Sequence, residues 1–507
     1  MCTEGRSFNE LWHVATGNKS YQRGLLRLVL TLKGCVGHNC RRRMLQGRKM
    51  AHIIDSRFYG NGYGTSEMRK VFADEARFQR WLDVEAALAV VQGKLGVIPE
   101  AAAQEISAKA RLDVVDLESV KDGIARTNHS LVPLLKEIQG ACSGDLGEFI
   151  HYGVTTQDIE DTGAVLEMKD AYRIIEIRLC KIVRLLSFLA EEHRDTVMTG
   201  RTHGQHALVT TFGYKVAVWL DEVLRHLQRM EQAGPRIFRV SLSGGVGTMS
   251  ALPKGLETMR GVAEELGLAT ADTSWHTARD GIAEYVTLVA MIGATIGKIS
   301  NEVYVLAKTE FGELAEPHHP GKLGSSTMPH KRNPEFCEQG AMLGRLGKYA
   351  AAAALESMAV EHDRDGRAWR MDWAVVPEVS LYVDASLSLA CNYLAGLEVN
   401  KERMKANIGL QKDFLFSEAL MIELGKSLGK QTAHHVVYEC AMEAHAEQCA
   451  IIDLLLKRPD VSAKFTRSDL EAVIEPSRHL GEAQTMTDLV LAKARQVLQR
   501  KGFGADV

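Results

Sequence analysis

The sequence predicts an all-α protein, and three observations support that fold class. The 507 residues include only 11 prolines, and no alternation of apolar and polar residues of the kind found in strands recurs along the chain. Apolar residues instead recur at steps of three and four. The longest such series is Val165, Met168, Tyr172, Ile175, Leu179, Ile182, Leu186 and Leu189. This spacing predicts a long helix with a heptad seam.

Ile174 and Ile177 add apolar surface beside that seam, so the helix is expected to pack against more than one neighbour. Eight heptad positions exceed what one short intramolecular contact needs, and we therefore expect the seam to be buried between subunits. A dimeric coiled coil with a purely structural purpose would show the same periodicity.

Composition limits the classes of function. The net charge is -3 and 46% of the residues are hydrophobic, which indicates a soluble globular protein of two to four domains that binds small molecules rather than nucleic acid. No uninterrupted apolar run reaches the ~18 residues of a membrane span. The nine cysteines include no Cys-x-x-Cys pair, so neither a zinc site nor a disulfide framework is indicated and a cytoplasmic location is expected.

The chain divides by composition and by helix length. Residues 1–49 carry ten Lys and Arg against two acidic residues, a net charge of +8 that leaves -11 for the remainder. We interpret them as a disordered tail or as a mis-extended start that precedes Met50. An N-terminal helical domain is predicted over 50–162, a central long-helix bundle over 163–397, and a C-terminal domain of shorter helices over 398–507.

Capping residues and helix-breaking residues predict where individual helices begin and end. A helix is predicted from Glu67 to Leu95, because Thr65 and Ser66 can cap it and Gly96 and Pro99 end it. A second apolar-patterned stretch runs over 207–230, and a helix is predicted to start near Trp275 and to reach about Thr309. The glycine-rich residues 243–248 lack the Gly-Lys-Ser/Thr ending of a P-loop and are interpreted as a turn between helices.

The segment 324–334 is predicted to be a polar loop that carries chemistry. It reads Gly-Ser-Ser-Thr-Met-Pro-His-Lys-Arg-Asn-Pro, so two hydroxyls, Ser325 and Ser326, are followed closely by Lys331 and Asn333. Such a loop can place a proton-abstracting oxygen beside groups that stabilise negative charge on a substrate carboxylate. An ordinary basic surface loop is the alternative, but the whole string is far more specific than its parts.

Three further segments carry candidate site residues. His129 lies in Arg-Thr-Asn-His-Ser, and Thr155 and Thr156 lie in His-Tyr-Gly-Val-Thr-Thr-Gln-Asp, where a glycine-bent turn offers two hydroxyls to a carboxylate. His203 and Gln205 lie in Gly-Arg-Thr-His-Gly-Gln-His. Histidine titrates near neutrality, which suits protonation of a leaving group. Each segment alone is a weak signal, and structural histidines are common.

These strings resemble the signature segments of the fumarase/aspartase superfamily, in the branch that holds adenylosuccinate lyases and 3-carboxy-cis,cis-muconate cycloisomerases. The resemblance extends from about Phe58 to the C-terminus. It implies an all-helical homotetramer whose active sites combine segments from three subunits. It also implies anti-elimination that usually releases fumarate from a di- or tricarboxylate, with no metal or organic cofactor.

The resemblance also implies a role for each residue. Ser325 is the base, with Ser326 as a substrate ligand and the alternative base. His203 is the general acid, supported by Glu338, and His129 assists. Carbanion stabilisation falls to Lys331 and Asn333, and carboxylate binding to Thr155, Thr156, Gln205 and Arg364. Arg364 suits that task because its planar fork makes two parallel bonds.

The sequence departs from the family in informative places. Gly62-Tyr63-Gly64 keeps a tyrosine but lacks the arginine that holds a nucleotide phosphate in adenylosuccinate lyases, so we expect no requirement for a nucleotide substrate. The regions around Trp275 and Trp369 resemble cycloisomerases instead. The roles that the resemblance gives to His129 and His203 favour elimination, and an elimination lyase acting on a succinylated amine is our prediction. A cycloisomerase is the first alternative, and a non-catalytic structural protein of the lens-crystallin kind is the second.

Overall fold

The structure is a computed structural model that describes residues 52–318, 321 and 325–503. It divides into two units, one that ends at Gly60 and one that begins at Asn61. Within the first unit, the described residues contain a short 3-10 helix, Ile53–Asp55, whose N-cap is His52. The predictions for residues 1–49 lie outside the described residues. All that follows concerns the second unit.

Helices dominate this unit, and the predicted all-α fold class is confirmed because 69% of the structure is helical. The shorter helices of the N-terminal part are α1 Ser66–Val71, α2 Asp74–Lys94, α3 Glu100–Lys109, α4 Leu117–Thr127 and α5 Val132–Ala141. The long helices and their connections are α6 Thr156–Glu192, β1 Val197–Thr202, β2 Gln205–Thr211, α7 Phe212–Ile237, α8 Gly255–Leu266, α9 Asp280–Leu306, β3 Leu314–Ala315, α10 Glu335–Glu356, α11 Gly366–Leu394 and β4 Glu398–Val399.

The C-terminal helices are α12 Lys401–Ile408, α13 Ser417–Leu428, α14 Lys430–Glu447, α15 Ile451–Leu455, α16 Pro459–Ser462, α17 Arg467–Val473 and α18 Ala483–Arg500. Helices α13 to α17 enclose an apolar core of their own. Helix α18 does not join it, because it packs back against α6 and α7 of the long-helix bundle. Short 3-10 helices occur at Leu112–Val114, Leu146–Phe149, Gly409–Phe416 and Pro476–His479.

The bundle is held by close helix contacts. Helix α9 packs along α10, and α10 packs along α11. A Cβ on Gly344 would lie 2.5 Å from the carbonyl oxygen of Gly293 and 2.9 Å from the Cα of Gly297, so only glycine allows α9 and α10 to approach this closely at that point. The crossing fixes the direction of α10 relative to α9, which matters below because the polar loop joins them.

The seam of α6 is buried, but the prediction that subunits bury it is wrong. All eight seam residues, from Val165 to Leu189, are at most 7% exposed within the single chain. Helices α2, α7, α11 and α18 of the same chain cover α6. Periodicity reports how much of a helix is covered, not which elements cover it. Ile177 beside the seam is 46% exposed and Phe188 is 64% exposed.

Three predicted boundaries need correction. The helix predicted over Glu67–Leu95 is two helices, α1 and α2, separated by a break at residues 72–73. The stretch predicted to be apolar-patterned from residue 207 begins as strand β2 and becomes helical only at Phe212. The helix predicted to start near Trp275 starts at Asp280 and ends at Leu306.

The turn predicted at 243–248 lies between α7 and α8, as expected. Helix α6 begins at Thr156 and so crosses the domain boundary predicted after residue 162.

Two helices of the bundle, α9 and α11, satisfy the length and hydropathy criteria for a membrane span, although neither is an uninterrupted apolar run. In each, 72% of the most apolar 18-residue window is buried inside the protein. Neighbouring helices therefore cover these surfaces, as expected for core helices of a globular bundle.

Candidate active site

The first turn of α6 is the most heavily hydrogen-bonded part of the candidate site. Thr155 is the N-cap of α6, and its backbone N–H donates to Oδ2 of Asp158 at 3.0 Å. The same carboxylate accepts from the backbone N–H groups of Ser243 and Gly244 at 2.8 Å each. Nε2 of His276 lies 2.8 Å from its Oδ1. Asp158 is completely buried, so it fixes the helix start and the 243–248 turn as one unit.

Arg364 reaches this unit from the loop before α11. Its Nη1 donates to Oγ1 of Thr155 at 3.0 Å and its Nη2 donates to the carbonyl oxygen of Gly245 at 2.8 Å. Both acceptors are neutral, so the guanidinium charge is available to an anion. The start of α6 itself is already capped by the Asp158 carboxylate, so Arg364 supplies the positive charge at this place.

His129 faces the same helix start as a hydrogen-bond donor. Its Nδ1 accepts the backbone N–H of Val132 at 3.2 Å, so in the neutral ring the proton sits on Nε2. That Nε2 lies 3.5 Å from Oγ1 of Thr156. The structure thus brings together four predicted residues, His129, Thr155, Thr156 and Arg364, which we call the α6 cluster.

His151 is a site residue that the sequence analysis quoted without assigning a role. Its Nδ1 lies 2.6 Å from Oε1 of Glu85, and its backbone N–H donates to Oε2 at 3.2 Å. Burial opposes the charged ring, but Glu85 outweighs it and raises the pKa of His151 above its ordinary value. The His151–Glu85 pair ties the segment before Thr155 to α2. Sequence alone gives no sign of it, because Glu85 is 66 positions earlier.

A buried ionic network joins α6 to neighbouring elements close to the α6 cluster. Arg279 bonds both Asp161 on α6 and Asp372 on α11, with N–O distances of 2.7 and 2.6 Å. Its side chain is 1% exposed. Trp275 is also buried and donates its indole N–H to the carbonyl oxygen of Val240 at 2.9 Å. The Trp275 and Arg279 side chains of the Trp-His-Thr-x-Arg-Asp string thus join separate elements, and each also borders a cavity.

The other histidine segment forms the tip of a β-hairpin. Strands β1 and β2 pair antiparallel, with Thr202 opposite Gln205. His203 and Gly204 make the turn with φ values of 51° and 78°, which is the conformation that a two-residue hairpin requires. His203 and Gln205 are both exposed. An ion pair of Arg201 with the buried Glu313, at 2.6 Å, anchors the hairpin close to its tip.

In the polar loop, the backbone already stabilises the predicted base. Oγ of Ser325 accepts the N–H groups of Thr327 at 3.3 Å and Met328 at 3.0 Å. Two such donors would stabilise an alkoxide on this oxygen. Ser326 and Lys331 are exposed, and Asn333 is partly exposed. Glu338 lies in the first turn of α10 and is exposed.

The chain does not bring these groups to the α6 cluster. Helix α6 has 37 residues and is therefore about 55 Å long, and the hairpin follows its far end. Helix α9 starts beside the cluster, through the Arg279–Asp161 ion pair, and runs away for about 40 Å. The polar loop follows that far end, because Gly340 near the start of α10 packs against Ser300 near the end of α9.

The fold and this distribution of polar segments define a class: a helical-bundle enzyme with a polar cluster at a helix start and two separate reactive segments. Comparison with known families gives the particular family. A family model described as Lyase matches residues 62–346. A second, described as Adenylosuccinate lyase C-terminus, matches residues 413–490.

Relatives that align over nearly their whole length indicate the same family. The chain is 44% identical to an N-acetyl-S-(2-succino)cysteine lyase of Dickeya dadantii, over 88% of this chain and 98% of the relative. It is 42% identical to an adenylosuccinate lyase of Methanocaldococcus jannaschii, over 88% and 96%. A solved 3-carboxy-cis,cis-muconate lactonizing enzyme from Pseudomonas putida superposes with a TM-score of 0.83 at 32% identity, covering 87% of this chain and 99% of that chain.

The chain therefore belongs to the fumarase/aspartase superfamily, in the branch of adenylosuccinate lyases and 3-carboxy-cis,cis-muconate cycloisomerases. The predicted family is confirmed, and the protein is a lyase of that superfamily. The role of each candidate residue stays a prediction.

Proposed function

We propose that this enzyme catalyses anti-elimination of fumarate from a succinate that carries a small amine or thiol on C2. The observation that carries the proposal is the α6 cluster. Arg364 presents positive charge beside the start of α6, while Thr155, Thr156 and His129 offer hydrogen bonds. This is a binding site for a carboxylate whose orientation matters.

The reaction follows from the remaining residues. Ser325 removes a proton from the carbon next to one carboxylate, and the electron pair of the broken C–H bond passes into that carboxylate. Lys331 and Asn333 stabilise the resulting negative charge. The electrons then form the C=C bond of fumarate as the bond to the amine nitrogen or thiol sulfur breaks. His203, supported by Glu338, donates a proton to the departing atom, and Gln205 holds the second carboxylate.

A second copy of the chain is part of this proposal. About 55 Å of helix separates Thr156 from the hairpin, whereas the reaction needs its groups within a few ångströms of each other. We propose a homotetramer in which the α6 cluster of one subunit meets the hairpin tip and the polar loop of others. The exposed Ile177 and Phe188 on α6 offer apolar surface for such contacts.

The leaving group is proposed to be small. Gln339 donates to the carbonyl oxygen of Gly62 at 2.7 Å, and a Cβ on Gly62 would lie 2.8 Å from that nitrogen. An arginine side chain could replace Gly62 only by displacing Gln339. Without that arginine a nucleotide phosphate loses a charge-assisted bond of about 1.5 to 3 kcal/mol. An N-acetyl-S-(2-succino)cysteine-like thioether is the first substrate to test, since a 44% identical relative carries that name.

Fumarate formation decides among the substrates. The purified enzyme is offered N-acetyl-S-(2-succino)cysteine, succinylated amines with and without a nucleotide, and 3-carboxymuconate, and fumarate is followed by its ultraviolet absorbance. Release of fumarate from a phosphate-free adduct at the highest kcat/KM supports the proposal. Faster turnover of adenylosuccinate would contradict the small leaving group. Turnover of 3-carboxymuconate alone would make the enzyme a cycloisomerase, and no turnover at all would favour the non-catalytic alternative.

The tryptophans that resemble cycloisomerases do not favour that alternative. Trp275 is buried and bonded to the backbone. Trp369 and Trp373 contact each other, and Trp373 also contacts Trp81 on α2, with ring centroids 6.1 and 6.3 Å apart. These contacts hold neighbouring elements together and give no preference for a cycloisomerase substrate.

A further inference from the structure

A buried carboxylate, Glu160, lies one helical turn after Thr156. Residues four apart occupy the same face of a helix, so Glu160 lies beneath the hydroxyl that contacts His129. One of its oxygens, Oε1, accepts a hydrogen bond from Oγ of Ser130, the residue that follows His129. The first two turns of α6 therefore contact both sides of His129: Thr156 its ring and Glu160 its neighbour.

The turn that presents His129 depends on few other bonds. Asn128 ends α4 with a positive φ of 52°. On the α4 side, the backbone N–H of His129 donates to Oγ1 of Thr127 at 3.3 Å. On the α6 side, the Ser130–Glu160 hydrogen bond joins the turn to the helix. Through its bond to Ser130, Glu160 therefore influences the position of the His129 imidazole.

Glu160 is not accounted for by the ionic network around it. Its second oxygen, Oε2, is buried and has no hydrogen-bond partner among the described residues. Its side chain borders a cavity of about 20 Å³, which is the size of one water molecule. A carboxylate with one unsatisfied oxygen is costly to bury. A carboxylate buried at such a cost beside the α6 cluster points to function rather than stability.

We propose that Glu160 is a positioning residue that acts through Ser130 to fix the turn of residues 127–131 and keep Nε2–H of His129 directed at Thr156. The inference rests on the proposed function, because it assumes that the α6 cluster binds a substrate carboxylate.

The proposal makes the site sensitive to pH. Burial is the main influence on Glu160 and raises its pKa to about 7, against the hydrogen bond from Ser130. Below that pH a neutral carboxyl accepts a weaker bond from Ser130, since charge-assisted bonds are about twice as strong. The charged groups that face Glu160 from the surrounding elements are Arg77 on α2, Asp161 and Glu167 on α6, Arg279 before α9, Arg370 and Asp372 on α11, and His151 before α6.

The test compares wild type with Glu160→Gln and Ser130→Ala, singly and combined. Glutamine keeps the size of the side chain and an acceptor for Ser130 but has no charge at any pH. We expect each variant to lower kcat/KM about three- to tenfold at pH 8 and to remove the inflection near pH 7. The double variant should be no worse than Ser130→Ala alone, because Glu160→Gln weakens, and Ser130→Ala removes, the same hydrogen bond.

Glu167→Gln is the matched control. It removes a buried carboxylate from the same helix, one that pairs with Arg77 at 3.0 Å and does not bond residues 127–131. We expect it to lower stability and to keep the inflection of the pH profile, displaced to lower pH because Arg77 loses its partner and faces Glu160. If Glu160→Gln fails to fold, Ser130→Ala removes the same bond from a partly exposed position and carries the test alone.

Succinate binding provides a second readout that separates this inference from the proposed function. The dissociation constant of succinate is measured by calorimetry at pH 6 and pH 8 for the same four proteins. A pH dependence present in wild type and lost in both single variants supports the role of Glu160, even if no substrate of the panel releases fumarate. Unchanged pH profiles of turnover and of succinate binding in Glu160→Gln would overturn it.

Discussion

At the N-terminal end of α6, the chain itself completes the candidate site, whereas at the far ends of α6 and α9 it does not. Thr155, Arg364 and Asp158 are tied to one another and to the 243–248 turn by hydrogen bonds of 2.8 to 3.0 Å. By contrast, His203 and Lys331 are exposed side chains on a hairpin tip and a loop. One end is held in place by hydrogen bonds within the chain, and the proposed function assigns the exposed groups at the other end to contacts with a second subunit.

The comparison assigns different tasks to the two regions. A preorganised cluster can hold a carboxylate before chemistry begins, so its loss should appear mainly in affinity. Reactive groups that meet the substrate only after assembly should contribute mainly to kcat. The predictions that follow test this division, from the largest expected effect to the smallest.

Substitution of the base should cause the largest loss. We expect Ser325→Ala to reduce kcat by about a thousandfold or more, because general-base catalysis contributes up to about 10⁴-fold. The dissociation constant of fumarate should change little, since Ser325 makes few binding contacts. Steady-state turnover and fumarate binding are measured beside the control Ser326→Ala. If Ser326→Ala lost activity while Ser325→Ala kept it, the base would be Ser326.

Substitution of the acid should separate the two leaving-group classes. We expect His203→Gln to reduce turnover of a succinylated amine about a hundredfold and that of a succinyl thioether less than about tenfold. A thiol with a pKa near 8.5 departs as an anion far more readily than an amine. His206→Gln, three residues later and on β2, is the control. Equal losses for both substrates would contradict proton donation by His203.

Substitution of the carboxylate ligand should act on affinity. Arg364→Lys keeps the charge but removes the planar fork that holds Thr155 and Gly245. We expect the KM to rise about tenfold, which corresponds to about 1.4 kcal/mol, with a smaller change in kcat. Arg367→Lys is the control, because Arg367 pairs at the surface with Glu361 and Asp365. A fall in kcat at unchanged KM would place Arg364 among the reactive groups instead.

The last prediction concerns the stability of the fold and not turnover. The pKa of Glu160 is raised by burial to about 7 in the folded protein, above an unfolded value of about 4.3. The folded state therefore loses stability as the pH rises above the unfolded value and the buried carboxyl ionises. We expect Glu160→Gln to match wild type near pH 4 and to exceed it by about 1 to 3 kcal/mol at pH 8. Thermal unfolding at both pH values measures this, and equal Tm differences would contradict it.

The parts of the fold that the sequence predicted correctly are those that local periodicity determines. Steps of three and four correctly placed the long helix through Val165 and Leu189, because the helical repeat is a property of neighbouring residues. The hairpin at 197–211 was missed, since its strands have only six and seven residues and the second merges into the pattern of α7. The covering of the seam was also misjudged, because a buried face does not identify what buries it.

The site shows the same limit. Thr155, Thr156 and Arg364 could be proposed from their strings, and the structure adds that the Arg364 guanidinium contacts Thr155. The pairs His151–Glu85 and Ser130–Glu160 could not be proposed, because their members are 66 and 30 positions apart and only packing brings them together. Such pairs determine the charge and orientation of site histidines, which sequence strings do not encode.

Mixed tetramers test the central claim, that each active site takes its α6 cluster and its polar loop from different subunits. Ser325→Ala is expected to lose kcat and the double variant Thr155→Ala/Thr156→Ala to lose affinity, so both are expected to be nearly inactive at substrate concentrations well below the wild-type KM. They are unfolded together in equal amounts, refolded and assayed for fumarate release, with each variant refolded alone as the control.

If different subunits supply the two regions, random mixing leaves about one site in four with both regions intact. We therefore expect the mixture to recover about a quarter of wild-type activity from two nearly inactive parents. Activity no higher than the average of the parents, in tetramers shown by two affinity tags to be mixed, would mean that one chain builds the whole site and would contradict this account.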